Sequence, residues 1–169
     1  VSPNVTDVFQ KTALNIAKYP DPSCSKLKTA IGEYYGIKPE RILCGNGSDD
    51  LLRLITNIFA GDGDEVLFSE YGFQVYEQAA LAVGAKPVRA KEIDYKTNID
   101  EILRKVTKKT KIIFIANPNN PTGTYIPFSE IERLYANISK DVLLVLDSAY
   151  SEFVDDEDFA DGLEFARQN

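Results

Sequence analysis

The chain has 169 residues, with 26 acidic against 19 basic side chains and a net charge of −7. That length can bury a real core, and the acidic balance argues against a nucleic-acid partner. Histidine is absent and there are two cysteines, so a Ser-His-Asp triad, a histidine-based zinc site and a four-cysteine zinc site are excluded within the chain.

In chain order, apolar spacing predicts helices over Thr6–Lys18 and Lys26–Tyr35, the second closed by Gly36. Arg41–Cys44 reads as a short strand, followed by Gly45-Asn46-Gly47-Ser48 and then a helix over Asp49–Phe59. Glu65–Phe68 is a strand, Phe73–Val83 a helix ending at Gly84, Lys86–Ala90 a strand and Ile99–Val106 a helix. Lys111–Ala116 and Val142–Leu146 are apolar without alternation, which fits strands of a parallel sheet buried on both faces. Ser129–Ile138 is the helix between them. The β-α-β alternation predicts an α/β domain, three layers α/β/α, around a mostly parallel, mixed sheet. No apolar run approaches a membrane span and no leader pattern is visible, so the expectation is a cytoplasmic protein that touches no membrane. Cys24 and Cys44 fit reduced thiols. The start at Val1, with no methionine anywhere, reads as a piece of a longer protein.

Ligands of open α/β sheets bind beyond the carboxyl ends of the strands. Three unusual segments are expected there. Gly45-Asn46-Gly47-Ser48-Asp49 leads into a helix, where free N–H groups and the helix dipole favour an anion. Ser48 can cap that helix or donate its hydroxyl to a phosphate, whereas Asp49 and Asp50 suit the dipole but repel a phosphate. In Asn117-Pro118-Asn119-Asn120-Pro121-Thr122-Gly123 the prolines keep the residues before them extended, holding Asn120 with its amide free to donate. Asp147 ends an apolar strand, where a carboxylate needs a hydrogen bond, an ion pair or a cationic cofactor, and Tyr150 brings a phenol to the same place.

Taken in order, Tyr19-Pro20-Asp21-Pro22, Gly45 to Asp49, Asn117 to Gly123 and Asp147-Ser148-Ala149-Tyr150-Ser151-Glu152-Phe153 resemble the pyridoxal-phosphate aminotransferases of fold type I, classes I and II, and within them the histidinol-phosphate branch. The resemblance spans nearly the whole chain. It implies pyridoxal 5'-phosphate as cofactor, with its phosphate held by Gly47, Ser48 and Asp49. It further implies Phe73 stacked on the ring, Asn120 and Tyr150 on the ring's phenolic oxygen, and Asp147 on the protonated ring nitrogen. Tyr19 would reach the phosphate in the partner subunit of a homodimer. The implied reaction is transamination between the small molecules L-histidinol phosphate and 2-oxoglutarate, in histidine biosynthesis.

The lysine that holds the cofactor as a Schiff base in that family would fall beyond Asn169, as would the substrate arginines and the smaller C-terminal domain. The expectation is therefore a partial cofactor-binding large domain over 1–169, entered through an N-terminal segment 1–40, with no catalytic residue of its own and no activity alone. Three other readings stay open: an aromatic aminotransferase or a threonine-phosphate decarboxylase on the same fold, and a lysine-less binding module. A nucleotide-binding domain is disfavoured, because neither the Gly-x-Gly-x-x-Gly nor the Gly-x4-Gly-Lys-Ser/Thr pattern occurs.

Overall fold

The computed structural model describes residues 2–159 and 161–168. The chain divides into two compact units, Val1–Cys44 and Gly45–Asn169. In the first, α1 (Pro3–Ala13) starts on a proline, whose missing N–H costs nothing at that position. It is shorter than the periodicity predicts. Beyond Ala13 the backbone tightens into i→i−3 turns, such as Asn15 N–H to Thr12 C=O, that do not propagate an α-helix. The Tyr19–Pro22 stretch leads to α2 (Ser25–Tyr35). The Asp21 carboxylate accepts from the N–H and the hydroxyl of both Ser23 and Ser25, and these bonds hold its pKa far below the usual carboxylate range. Gly36, at φ 66°, ends α2 in the left-handed conformation that glycine adopts freely.

Arg41–Cys44 is not a strand. A 3-10 turn over Pro39–Arg41 ends in an extended Ile42, and no strand pairs with it among the described residues. Extended torsions make a strand only where a neighbour completes the hydrogen-bond ladder.

The second unit has the three-layer arrangement that the alternation predicts. Helix α3 (Ser48–Phe59) precedes β1 (Glu65–Ser69), α4 (Gln74–Ala82), β2 (Lys86–Ala90), α5 (Ile99–Lys105), β3 (Thr110–Ala116), α6 (Phe128–Ala136), β4 (Leu143–Asp147) and α7 (Gly162–Gln168). The four strands run in the order β2-β1-β3-β4, and every pairing is parallel. One face, with Val66, Phe68, Ile112, Phe114 and Ala116, packs on Leu52 of α3 and on Val75, Tyr76 and Ala80 of α4. The other, with Leu67, Ile113 and Ile115, packs on Ile99 and Ile102 of α5, Ile131 and Leu134 of α6 and Phe165 of α7. Both faces are covered, so the strands lack polar alternation. Among the described residues no helix is long and apolar enough to cross a membrane.

This topology creates one switch point. From β1 the chain moves outward to β2, then returns past β1 to β3 and on to β4. The segments leaving β1 and β3 therefore diverge and open a crevice at their carboxyl ends, the position where open α/β sheets take their ligands.

Candidate functional site

The crevice is built from three strand exits and one helix start. Beyond β1, Ser69-Glu70-Tyr71-Gly72 turns tightly, with Gly72 N–H donating to Ser69 C=O at 3.0 Å. A Cβ at Gly72 would lie 3.0 Å from that same carbonyl oxygen, a tight approach that glycine makes without displacing its neighbour. The turn delivers Phe73 to the N-cap of α4, half-buried.

Beyond β3, the loop is clasped by Asn117 and Asn119, both buried. Asn117 donates its amide to Ile126 C=O at 3.0 Å and accepts from Ile126 N–H at 2.9 Å, closing the loop on itself. Asn119 donates to Thr122 Oγ1 and to Tyr71 C=O, tying this loop to the exit from β1. Both Asn-Pro bonds, at Pro118 and Pro121, are cis. Between these two clasps, Asn120 lines the crevice.

Beyond β4, Asp147 lies opposite Ala116 in the parallel register. Strand alternation places it on the face of Val145, the face covered by α3 and α4. There the Tyr76 hydroxyl donates to Asp147 Oδ2 at 2.8 Å. Oδ1 accepts a long bond from Ala149 N–H, at 3.3 Å. Among the described residues no cation pairs with Asp147. Of the three ways to accommodate this carboxylate, the structure supplies the hydrogen bond and not the ion pair. Burial, and then the adjacent Asp147 charge that it bonds, push the Tyr76 phenol well above the usual tyrosine range, so it remains a donor.

The fourth wall is the start of α3. Gly47, at φ 84°, is its N-cap, and no side chain caps the helix. Ser48 is the first helical residue and not the cap, so its hydroxyl is left to the crevice. Asp49 and Asp50 lie in the first turn, and Asp50 accepts from Asn46 N–H at 3.0 Å, bracing the glycine-rich turn.

Ser48, Phe73, Asn120, Asp147 and Tyr150 thus line one small cavity of about 50 Å³. Two wider cavities share lining residues with it: one of about 450 Å³ through Phe73 and Asn120, and one of about 440 Å³ through Pro118, Asn120 and Tyr150. Asn120 borders all three. Gly47 and Asp49 flank Ser48 without lining the cavity. Tyr19, in the first unit, is fully exposed. The sequence marks the Asn117–Gly123 segment but not the clasping roles of Asn117 and Asn119, and it does not mark Tyr76. A tyrosine at a buried helix position did carry a signal, since its hydroxyl needs an acceptor, but not which acceptor.

The chain belongs to the aminotransferase class I and II family, whose model matches residues 2–168. Among curated sequences it is 48% identical over 163 residues to the histidinol-phosphate aminotransferase of Paramagnetospirillum magneticum, covering 96% of this chain and 45% of that protein. It is 46% identical over 161 residues to the enzyme of the same name from Rhodospirillum centenum, covering 95% and 44%. The chain spans about half the length of the curated relatives it matches. Among solved structures it superposes on histidinol-phosphate aminotransferase from Sinorhizobium meliloti in complex with pyridoxal-5'-phosphate, with a TM-score of 0.87 and 28% identity over 93% of this chain and 43% of that one. The aromatic aminotransferase from Pyrococcus horikoshii OT3 gives 0.83 and 26%, over 96% and 47%.

Proposed function

We propose that the crevice holds pyridoxal 5'-phosphate, and that the whole protein transaminates L-histidinol phosphate with 2-oxoglutarate in histidine biosynthesis. The observation that carries this reading is Asp147, a half-buried carboxylate at the end of an apolar strand, without a cation among the described residues, beside an aromatic ring and a free helix N-terminus. That donor set fits a flat heteroaromatic bearing a cationic nitrogen at one end and an anionic group at the other. When bound, pyridoxal phosphate supplies an electron sink for electrons released at the amino donor's α-carbon.

The chain's own residues do the rest. Asp147 holds a proton on the ring nitrogen, because an adjacent carboxylate favours the cationic form. Phe73 offers its face to the ring. Asn120 and Tyr150 donate to the phenolic oxygen. The Gly47 and Ser48 backbone and the Ser48 hydroxyl, at the positive end of α3, take the phosphate. Asp49 is the least favourable member of that cup, since its charge opposes the phosphate while suiting the dipole. Tyr19 serves the phosphate of the partner subunit in a homodimer.

The choice of substrate rests on the relatives' names and on identity close to one half. It is tested with the full-length protein by comparing kcat/KM for L-histidinol phosphate, phenylalanine, tyrosine and threonine phosphate, with 2-oxoglutarate as acceptor. At least a tenfold preference for histidinol phosphate is expected. A preference for an aromatic amino acid would assign the other aminotransferase class, and carbon dioxide release from threonine phosphate would assign a decarboxylase.

A further inference from the structure

We propose that Tyr76 is a positioning residue for Asp147, its hydroxyl fixing Oδ2 so that Oδ1 and the negative charge are offered to the bound ring. The inference rests on the cofactor reading above and adds to it a residue outside the pocket lining. Tyr76 is 1% exposed and its ring lies flat on Phe114, with centroids 4.7 Å apart and planes 5° from parallel. Phe73 meets it edge-on at 5.9 Å. Phe114 and Asp147 belong to the same sheet face, Asp147 one step nearer the strands' carboxyl ends. A phenol lying on Phe114 therefore points its oxygen along the strand direction at the carboxylate. The ring is held by packing, so the donor is preorganised.

A buried phenol needs some acceptor, and a merely structural bond would stop there. This bond has a further consequence. A donor on Oδ2 stabilises the carboxylate in its charged form. The proton shared between Asp147 and the ring nitrogen then resides on nitrogen, the state in which the ring withdraws electrons. Burial and then the Asp147 charge hold the Tyr76 phenol well above the usual tyrosine range, so its hydroxyl stays a donor.

The test uses full-length protein loaded with pyridoxal phosphate carrying ¹⁵N at the ring nitrogen, read by NMR at one neutral pH. Wild type is expected at the pyridinium position and Asp147→Asn at the neutral-ring position. In Tyr76→Phe the resonance should move from the first toward the second, with the proton partition changed about tenfold or more. Incorporating 3-fluorotyrosine at position 76, a stronger donor of nearly the same shape, should not move it that way and should hold it at the pyridinium end. This second variant also covers a Tyr76→Phe protein that fails to fold: a fluorotyrosine resonance displaced toward the neutral ring would overturn the proposal. So would an unmoved resonance in folded, loaded Tyr76→Phe, with the cofactor reading left standing. Failure of wild type to bind the cofactor at all would remove both.

Discussion

Asp147 ends a run of aliphatic residues, and its cost in that place is the clearest functional signal in the chain. In the full-length enzyme, Asp147→Ala should lower turnover about a hundredfold, or ~3 kcal/mol, as expected when a charge aimed at the reacting group is lost. Its effect on folding should be smaller, about 1–2 kcal/mol, because the Tyr76 hydroxyl loses its acceptor. Kinetics and urea melts on the same preparation separate the two, and near wild-type turnover in a folded variant would make Asp147 purely structural. Asn117 has the opposite balance. Asn117→Ala leaves Ile126 N–H and C=O without partners in a buried place, so it should cost roughly 2–4 kcal/mol of stability, measured by denaturant midpoint. Asp147, Asn120 and Tyr150 stand out in the sequence because each is a polar group expected at a strand exit, and the structure places all three on one cavity. Tyr76 does not, because helical spacing assigns it to an apolar face and says nothing of which carboxylate lies on the sheet face beneath it.

Elements are set by where backbone groups find partners. The apolar runs of β3 and β4 announce parallel strands, since only a sheet covered on both faces buries them. Arg41–Cys44 has similar composition but no neighbouring ladder, a fact about tertiary context that four residues do not contain. The entry into the sheet is held by polar groups. At the start of β1, Glu65 is buried, and it accepts from the Thr107 hydroxyl at 2.6 Å and from Lys86 Nζ at 3.2 Å. The Thr107 bond, aided by Lys86, holds the Glu65 pKa below its ordinary 4.5. A carboxyl depressed in the folded state contributes stability that is full above its unfolded value and is lost as pH falls through the folded one. The stability gap between wild type and Glu65→Gln should therefore be constant near neutrality and shrink below pH 4.5. Thr107→Val should flatten that dependence. Denaturant melts at pH 7 and pH 3 check it, and a gap as wide at pH 3 as at pH 7 would contradict the assignment.

The whole molecule is a matter of what the second unit presents and what must come to it. Its crevice lies at the reversal of strand order, so the fold itself chooses the place and the loops supply the chemistry. Tyr19, exposed in the other unit, is proposed to serve a partner's site. Subunit mixing tests that. Full-length Tyr19→Ala chains, exchanged with chains that keep Tyr19 but lack the cofactor-bearing lysine, should regain activity, because one site of each hybrid is whole. Confirmed exchange without regain would place Tyr19 in its own subunit's structure. A crystal structure of the full-length protein with the cofactor would show whether these strand exits are a pyridoxal-phosphate pocket. The ring is expected beside Phe73 with its nitrogen within hydrogen-bond reach of Asp147, about 3 Å, and its phosphate at the start of α3. A cofactor bound elsewhere, or a ring nitrogen facing any group other than Asp147, would contradict it.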